Sequence, residues 1–165
     1  MSDTEKIFHT IARPTPLSLK ETMEEILLYI KEKPTHQYEI SIGSDSPGFS
    51  GKPISIVTAL TVRRIKNGGR YFYTRGRPAM YHQIRDRIYA ETMSSIMLAQ
   101  EIRGRLGDVL GDDIFWEDQI HIDVGNKGLS RNFVDEVVGM VKGYNFTAVT
   151  KPNSYVASSV ADRHT

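Results

Sequence analysis

Four acids in this chain stand where an acid is costly unless something compensates it: Asp45, Glu91, Asp123 and Asp162. Asp45 and Asp123 close two apolar, strand-like runs, YEISIGSD and QIHIDVG. Glu91 falls on the apolar stripe of a predicted helix, seven residues after Ile84 and three after Ile88. Asp162 ends the segment SYVASSVAD. Carboxylates on buried faces lose hydration and repel one another, so they persist chiefly when paired or bound to a metal. A cluster of oxygen donors suits Mg²⁺ or Mn²⁺, and such clusters serve phosphoryl-transfer chemistry. The four acids are therefore read as candidate metal ligands and catalytic groups.

Each acid also has a local alternative. Asp45 before Ser-Pro-Gly and Asp123 before Val-Gly are residues that turns use. Glu91 can pair with Arg87 one turn earlier. Asp162 can pair with Arg163. His121 alternates with apolar neighbours and reads as a satisfied sheet histidine rather than a ligand. The functional reading rests on the joint order of the acids along the chain.

The elements that would position them follow from periodicity. Residues 1–16, rich in Thr and Pro, read as a flexible arm, and residues 17–165 as a single domain. Ser18-Leu19-Lys20-Glu21 is a capping box. It opens a helix whose apolar positions are Leu19, Met23, Ile26, Leu27 and Ile30. Tyr38–Ile42 alternates as a first strand and runs into the Gly43–Gly48 loop. Ile54–Ile65 reads as a second strand, Asn67-Gly68-Gly69 as a hairpin turn, and Arg70–Arg75 as the third strand. A long helix is expected from about Tyr81 to Arg103, with Gly104, Gly107 and Gly111 loosening the connection behind it. Ile120–Val124 is a fourth strand. A helix capped by Ser130, with Leu129 and Val134 as a hydrophobic staple, runs to Gly143. Phe146–Thr150 is a fifth strand, and a short last helix starts near Ser154. Hairpin-linked strands pair antiparallel and crossover-linked strands pair parallel. The expectation is an α/β fold with a mixed five-stranded sheet, strands one to three antiparallel and four and five parallel, and helices on both faces.

Composition narrows the function classes. The chain has no cysteine, which excludes disulfides, thiolate metal sites and a cysteine nucleophile. No GxSxG elbow is present. There is no apolar leader and no run long enough for a membrane span, so a cytoplasmic protein is expected, with no membrane partner. Net charge is +1, yet Arg63–Arg105 holds ten Lys/Arg against three acids, which leaves the remainder at −6. Such asymmetry attracts phosphate backbones. Arg75, Arg77, Arg85 and Arg87 are candidate backbone contacts. Ser44 and Ser46 are candidates to orient phosphate or water, and Tyr71, Tyr73 and Tyr81 to stack on bases.

The order of elements, with an Asp ending strand one, a Glu in the first crossover helix, an Asp ending strand four and an Asp in a late helix, resembles the ribonuclease H-like fold. The segments IGSDS, HIDVGNKG, VVGMVKGYNF and KPNSYVASSVADRHT resemble the bacterial ribonuclease H-related YkuK family, a largely uncharacterised group. The likeness covers residues 20 to 165, and its C-terminal segment is the most specific part. The resemblance implies that Asp45 is the central ligand on strand one, Glu91 the helix ligand, Asp123 the ligand at the end of strand four and Asp162 the late acid. Asp162 lies three residues from the end of the sequence, with no long helix after it. His164 is a candidate mobile proton carrier.

The expected activity is divalent-metal-dependent hydrolysis of phosphodiester bonds in RNA, DNA or a hybrid, by two ions about 3.5–4 Å apart that Asp45 bridges. A non-catalytic nucleic-acid-binding module on the same fold is the alternative. An actin-like ATPase needs two lobes and phosphate-gripping glycine loops, which this chain does not offer. A small domain often borrows substrate surface from a second copy, so a homo-oligomer stays open.

Overall fold

In chain order the elements are β1 (Ile7–Thr10), β2 (Arg13–Ser18), α1 (Leu19–Glu32), β3 (Tyr38–Asp45), β4 (Val57–Arg64), β5 (Gly69–Arg75), α2 (Ile84–Leu110), β6 (Trp116–His121), α3 (Val134–Gly143) and β7 (Thr147–Val149). They come from a computed structural model that describes residues 6–48, 51–112, 114 and 116–165, apart from the side chains of Leu129 and Ser130. One mixed sheet has the order β2-β1-β5-β4-β3-β6-β7. β3, β4 and β5 form an antiparallel meander, while β6 lies parallel to β3 and β7 parallel to β6.

The described sheet has seven strands, not five, because the expected N-terminal arm is itself a hairpin. β1 and β2 pair Phe8 opposite Leu17, and both side chains are buried. β1 joins the sheet edge where His9 sits opposite Tyr73. The Thr and Pro content masked the signal, since only one apolar residue per strand turns inward. Two other boundaries move. The long helix runs through Gly104 and Gly107, because Ile102, Leu106 and Leu110 continue its buried stripe. A glycine costs a helix about 1 kcal/mol, less than a buried leucine returns. β6 starts earlier than expected, at Trp116, because its parallel register with β3 runs from Tyr38↔Trp116 to Gly43↔His121. The expected helix before Gly143 starts at Val134, preceded by a tight turn over Leu129–Phe133. The side chains of its expected cap and staple, Ser130 and Leu129, lie outside the described residues.

The predicted capping box is present. The Ser18 hydroxyl accepts the Glu21 N–H at 3.1 Å, and the Glu21 carboxylate accepts the Ser18 N–H at 3.1 Å. Arg64 locks the far end of α1 to β4. It is buried, donates to the Tyr29 carbonyl at 2.7 Å and to the Tyr38 hydroxyl at 3.0 Å, and lies 4.0 Å over the Tyr29 ring.

Successive side chains of a strand point to opposite faces. On β3, Ile40 and Ile42 enter the core shared with α1, α2 and α3. Gly43 faces the other way, toward a wide π-type helical turn, Val156–Ala161, that continues into a tight turn, Asp162–His164. On this second face Val57 and Ala59 pack with Val156 and Ala161. The α-helices thus share one core on one side of the sheet, and the C-terminal turn packs on the other. A Cβ at Gly43 would stand 2.5 Å from the Ala157 nitrogen and 2.9 Å from the Ala157 Cα. Those are backbone atoms, so the chain has to move rather than a side chain. Gly43→Ala is expected to lower unfolding free energy by about 1–3 kcal/mol, the usual cost of overpacking. Urea denaturation of wild type and variant checks this, and equal midpoints would overturn it.

Candidate active site

Asp45 ends β3 on the face of Gly43, so the C-terminal turn that packs on Gly43 delivers Asp162 beside it. The two carboxyls are close enough to act on each other directly, which disfavours charge on both at once. Burial lifts the Asp45 carboxyl from an ordinary 3.8 to about 8; the Asp162 hydrogen bond and the charges of Glu91 and Asp123 push the same way, against the Ser46 N–H. Glu91 arrives from α2. It is buried, and burial lifts its carboxyl from 4.5 to about 7 although Ser46 and Arg87 oppose the shift. The Ser46 hydroxyl donates to Glu91 Oε1 at 2.5 Å, and Arg87 Nε lies 3.9 Å from the same oxygen.

Asp123 lies two residues beyond β6. Its segment stays paired to the next, with Ile122 N–H bonded to the Val149 carbonyl at 2.8 Å and Lys151 N–H to the Val124 carbonyl at 2.9 Å. Lys151 packs its stem over Gly125 and sets its amine 3.1 Å from Asp123 Oδ1. That oxygen is buried and has the ion pair without a well-directed hydrogen bond. A narrow crevice lined by Ser44, Glu91, Ser95, His121 and Asp123 joins the two acids.

Of the four sequence-predicted acids, Asp162 lies beside Asp45, while Glu91 and Asp123 act on it through their charge. Their donor chemistry, carboxylate oxygen with one orphaned lone pair, fits a hard divalent cation. Among the described residues no three acidic or imidazole side chains already converge as a metal cage.

The other candidates sit as follows. The Ser44 hydroxyl is buried, 2.8 Å from Thr58 Oγ1 and 2.7 Å from Ser95 Oγ, so it is structural rather than a phosphate contact. Ser46 serves Glu91 instead of a substrate. Arg85 pairs with Glu136 at 3.4 Å, tying α2 to α3. Arg87 donates to the Pro47 carbonyl at 3.1 Å and so fixes the loop after Asp45. Arg75 donates to the His164 carbonyl at 2.7 Å, and Arg77 is exposed. His164 is held in place instead of being a loose carrier. Its ring stacks 3.7 Å from Tyr73, and its Nε2 is 3.1 Å from the Tyr71 hydroxyl. Burial, with Arg75, Arg163 and His9 nearby, holds its pKa below the usual histidine value. β5 thereby gives a rigid seat to the turn that carries Asp162. Tyr71 and Tyr73 are committed to this seat. His121 is satisfied: its Nδ1 accepts the Val156 N–H at 3.1 Å, and burial lowers its pKa to about 4. Sequence reasoning missed Lys151, whose only local signal is a basic residue before Pro152.

A ribonuclease H-like family model matches residues 21–165. The chain is also similar to "Uncharacterized protein YkuK" of Bacillus subtilis (strain 168), 30% identical over 162 residues that cover 90% of this chain and 91% of the relative. No solved structure matches it. No helix among the described residues is long and apolar enough to cross a membrane.

The raised carboxyls set a pH dependence. The folded state holds protons on Asp45 and Glu91 up to about 8 and about 7, whereas the unfolded chain releases them near 3.8 and 4.5. Stability is therefore present at low pH and lost as pH climbs through the folded values. His121 acts in the opposite sense, but below its ordinary value of 6.5. Between about pH 6.5 and pH 8.5 the wild-type melting temperature in EDTA is expected to fall. Asp45→Asn should flatten that fall and melt higher than wild type at the alkaline end. Parallel curves for the two proteins would contradict the assigned proton.

Proposed function

This chain belongs to the ribonuclease H-like family, and we propose that it is a nuclease that hydrolyses phosphodiester bonds of nucleic acid with divalent metal ions. The observation that carries the reading is a buried Asp45 with Asp162 beside it and the charges of Glu91 and Asp123, which line one crevice, acting on it. Asp45 and Glu91 are buried, Asp123 is half-buried and Asp162 is exposed at the rim; carboxylates buried beside other acids cost the fold stability. Nothing in the core requires them, whereas a cation site does.

Asp45, Asp162, Glu91 and Asp123 would hold Mg²⁺ or Mn²⁺. Such ions, as a pair, lower the pKa of an attacking water and stabilise the leaving oxygen of an in-line displacement. The protein's own groups do the rest. Ser46 keeps a Glu91 oxygen in one rotamer, and its N–H steadies Asp45. Arg87 holds the Pro47 carbonyl, which keeps the loop from swinging over Asp45. Lys151 fixes Asp123 and, being half exposed, offers a positive charge to an approaching phosphate. The Ser44–Thr58–Ser95 hydroxyls satisfy one another beneath the acids, so no protein donor there competes for the carboxylates.

The test is cleavage of labelled single-stranded RNA, duplex DNA, RNA–DNA hybrid and a four-way junction, with Mn²⁺, Mg²⁺ or EDTA. Cleavage of at least one substrate is expected with cation, none with EDTA, and for Asp45→Asn a fall to the EDTA level. Salt-sensitive binding without cation-dependent cleavage would replace the nuclease with a nucleic-acid-binding module.

A further inference from the structure

A groove of about 660 Å³ opens between the N-terminal hairpin and α2. That is within the range of about 300–1,000 Å³ typical of small-molecule sites. Its lining includes the apolar Ile7, Met97 and Leu98 and the cationic Lys6, Arg75 and Arg77; among the described residues no Asp or Glu lines it. Ile7 is 54% and Met97 57% exposed, so both present apolar surface to the groove. A lining that combines apolar side chains with three cations matches a ligand with one flat apolar part and one anionic part. One wall is the hairpin, which precedes the residues shared with the family.

The groove adjoins the acids. Thr58 lines it, and the Thr58 hydroxyl bonds to Ser44, which bonds to Ser95. Ser44 and Ser95 line the crevice of Glu91 and Asp123 on the other side. A layer of three hydroxyls separates the groove from the acid crevice. A strand whose phosphodiester sits at the acids would have a neighbouring nucleotide within reach of the groove.

We propose that this groove is a nucleotide subsite. It takes one nucleoside monophosphate unit, with the base against Ile7, Met97 and Leu98 and the phosphate toward Lys6, Arg75 and Arg77. The base meets the apolar side chains through stacking-type contact, which is tolerant of sequence, and the cations meet the phosphate through charge-assisted hydrogen bonds. The naming of a nucleotide rests on the nuclease reading; the groove's charge and shape do not.

The measurement is calorimetric titration in EDTA with UMP, AMP, a 5′-phosphorylated tetranucleotide and, as an apolar anion of another class, laurate. Wild type is expected to bind UMP and AMP without added cation. Met97→Asp, at an exposed helix position, and Arg77→Glu, at an exposed loop position, are each expected to weaken it at least about tenfold, with binding falling as salt rises. Tighter binding of the tetranucleotide than of UMP or AMP identifies the unit as part of a strand. Equal binding identifies a free mononucleotide. No nucleotide binding, binding unchanged in both variants, or binding of laurate alone overturns the subsite. Cleavage by a protein that binds no nucleotide here refutes the subsite alone, and nucleotide binding without cation-dependent cleavage refutes the nuclease alone.

Discussion

The absence of a side chain at Gly43 is the constraint on which the site depends. β3 is an interior strand of the sheet, flanked by β4 on one side and β6 on the other. The C-terminal turn approaches so closely that even a methyl group would overlap the Ala157 backbone. That approach brings Val156 and Ala161 down onto Val57 and Ala59, and it sets Asp162 against Asp45 two residues along the strand. On the outer side the same turn is closed by His164, whose ring lies on Tyr73 and whose carbonyl takes the Arg75 guanidinium. Tyr73 is stacked in turn by His9 from β1, with ring centres 5.3 Å apart. The N-terminal hairpin and the C-terminus therefore meet on one tyrosine.

The electrostatics of the site follow from what surrounds it. Asp45 and Glu91 lose water by burial, and their neighbours are other acids more than bases. Among the described residues Arg87 and Lys151 each reach a single oxygen, one of Glu91 and one of Asp123. Beneath it the hydroxyls of Ser44, Thr58 and Ser95 bond to each other. A polar layer that is internally satisfied costs little, whereas carboxylates that are not are expensive. Among the described residues the raised carboxyls thus gather at the C-terminal end of β3.

The basic residues show how far local sequence goes. The excess of arginine between Arg63 and Arg105 is plain in the sequence, but its use is not. Arg64 is buried over Tyr29, and Arg103 forms a two-pronged pair with Asp118 at 2.6 and 2.5 Å while covering Phe146 at 3.8 Å. Arg85 and Arg87 hold groups on other elements. A guanidinium finds carbonyls and carboxylates wherever the fold places them, so counting arginines overstates the surface left for phosphate. The basic lining that does face a groove draws on Lys6, from the segment read as an arm, and on the loop after β5.

The sequence by itself determined the elements and the order of the acids. Helix and strand periods, the Ser18–Glu21 box and the Asn67-Gly68-Gly69 turn act between near neighbours, so they are written in consecutive residues. β3, β4, β5 and α1 were legible for that reason, and so was the position of Asp45 at the end of a strand. Tertiary structure alone decided the rest. The N-terminal hairpin became sheet because Phe8 and Leu17 found a core that their own segment does not contain. β6 took its register from β3, and α2 ran past two glycines because its stripe had something to pack against. Asp162 gained a fixed place because Tyr71, Tyr73 and Arg75, about ninety residues earlier, grip His164. Contacts between segments so far apart depend on the register of whole strands and on one missing Cβ, and neither leaves a periodic trace in the residues that benefit.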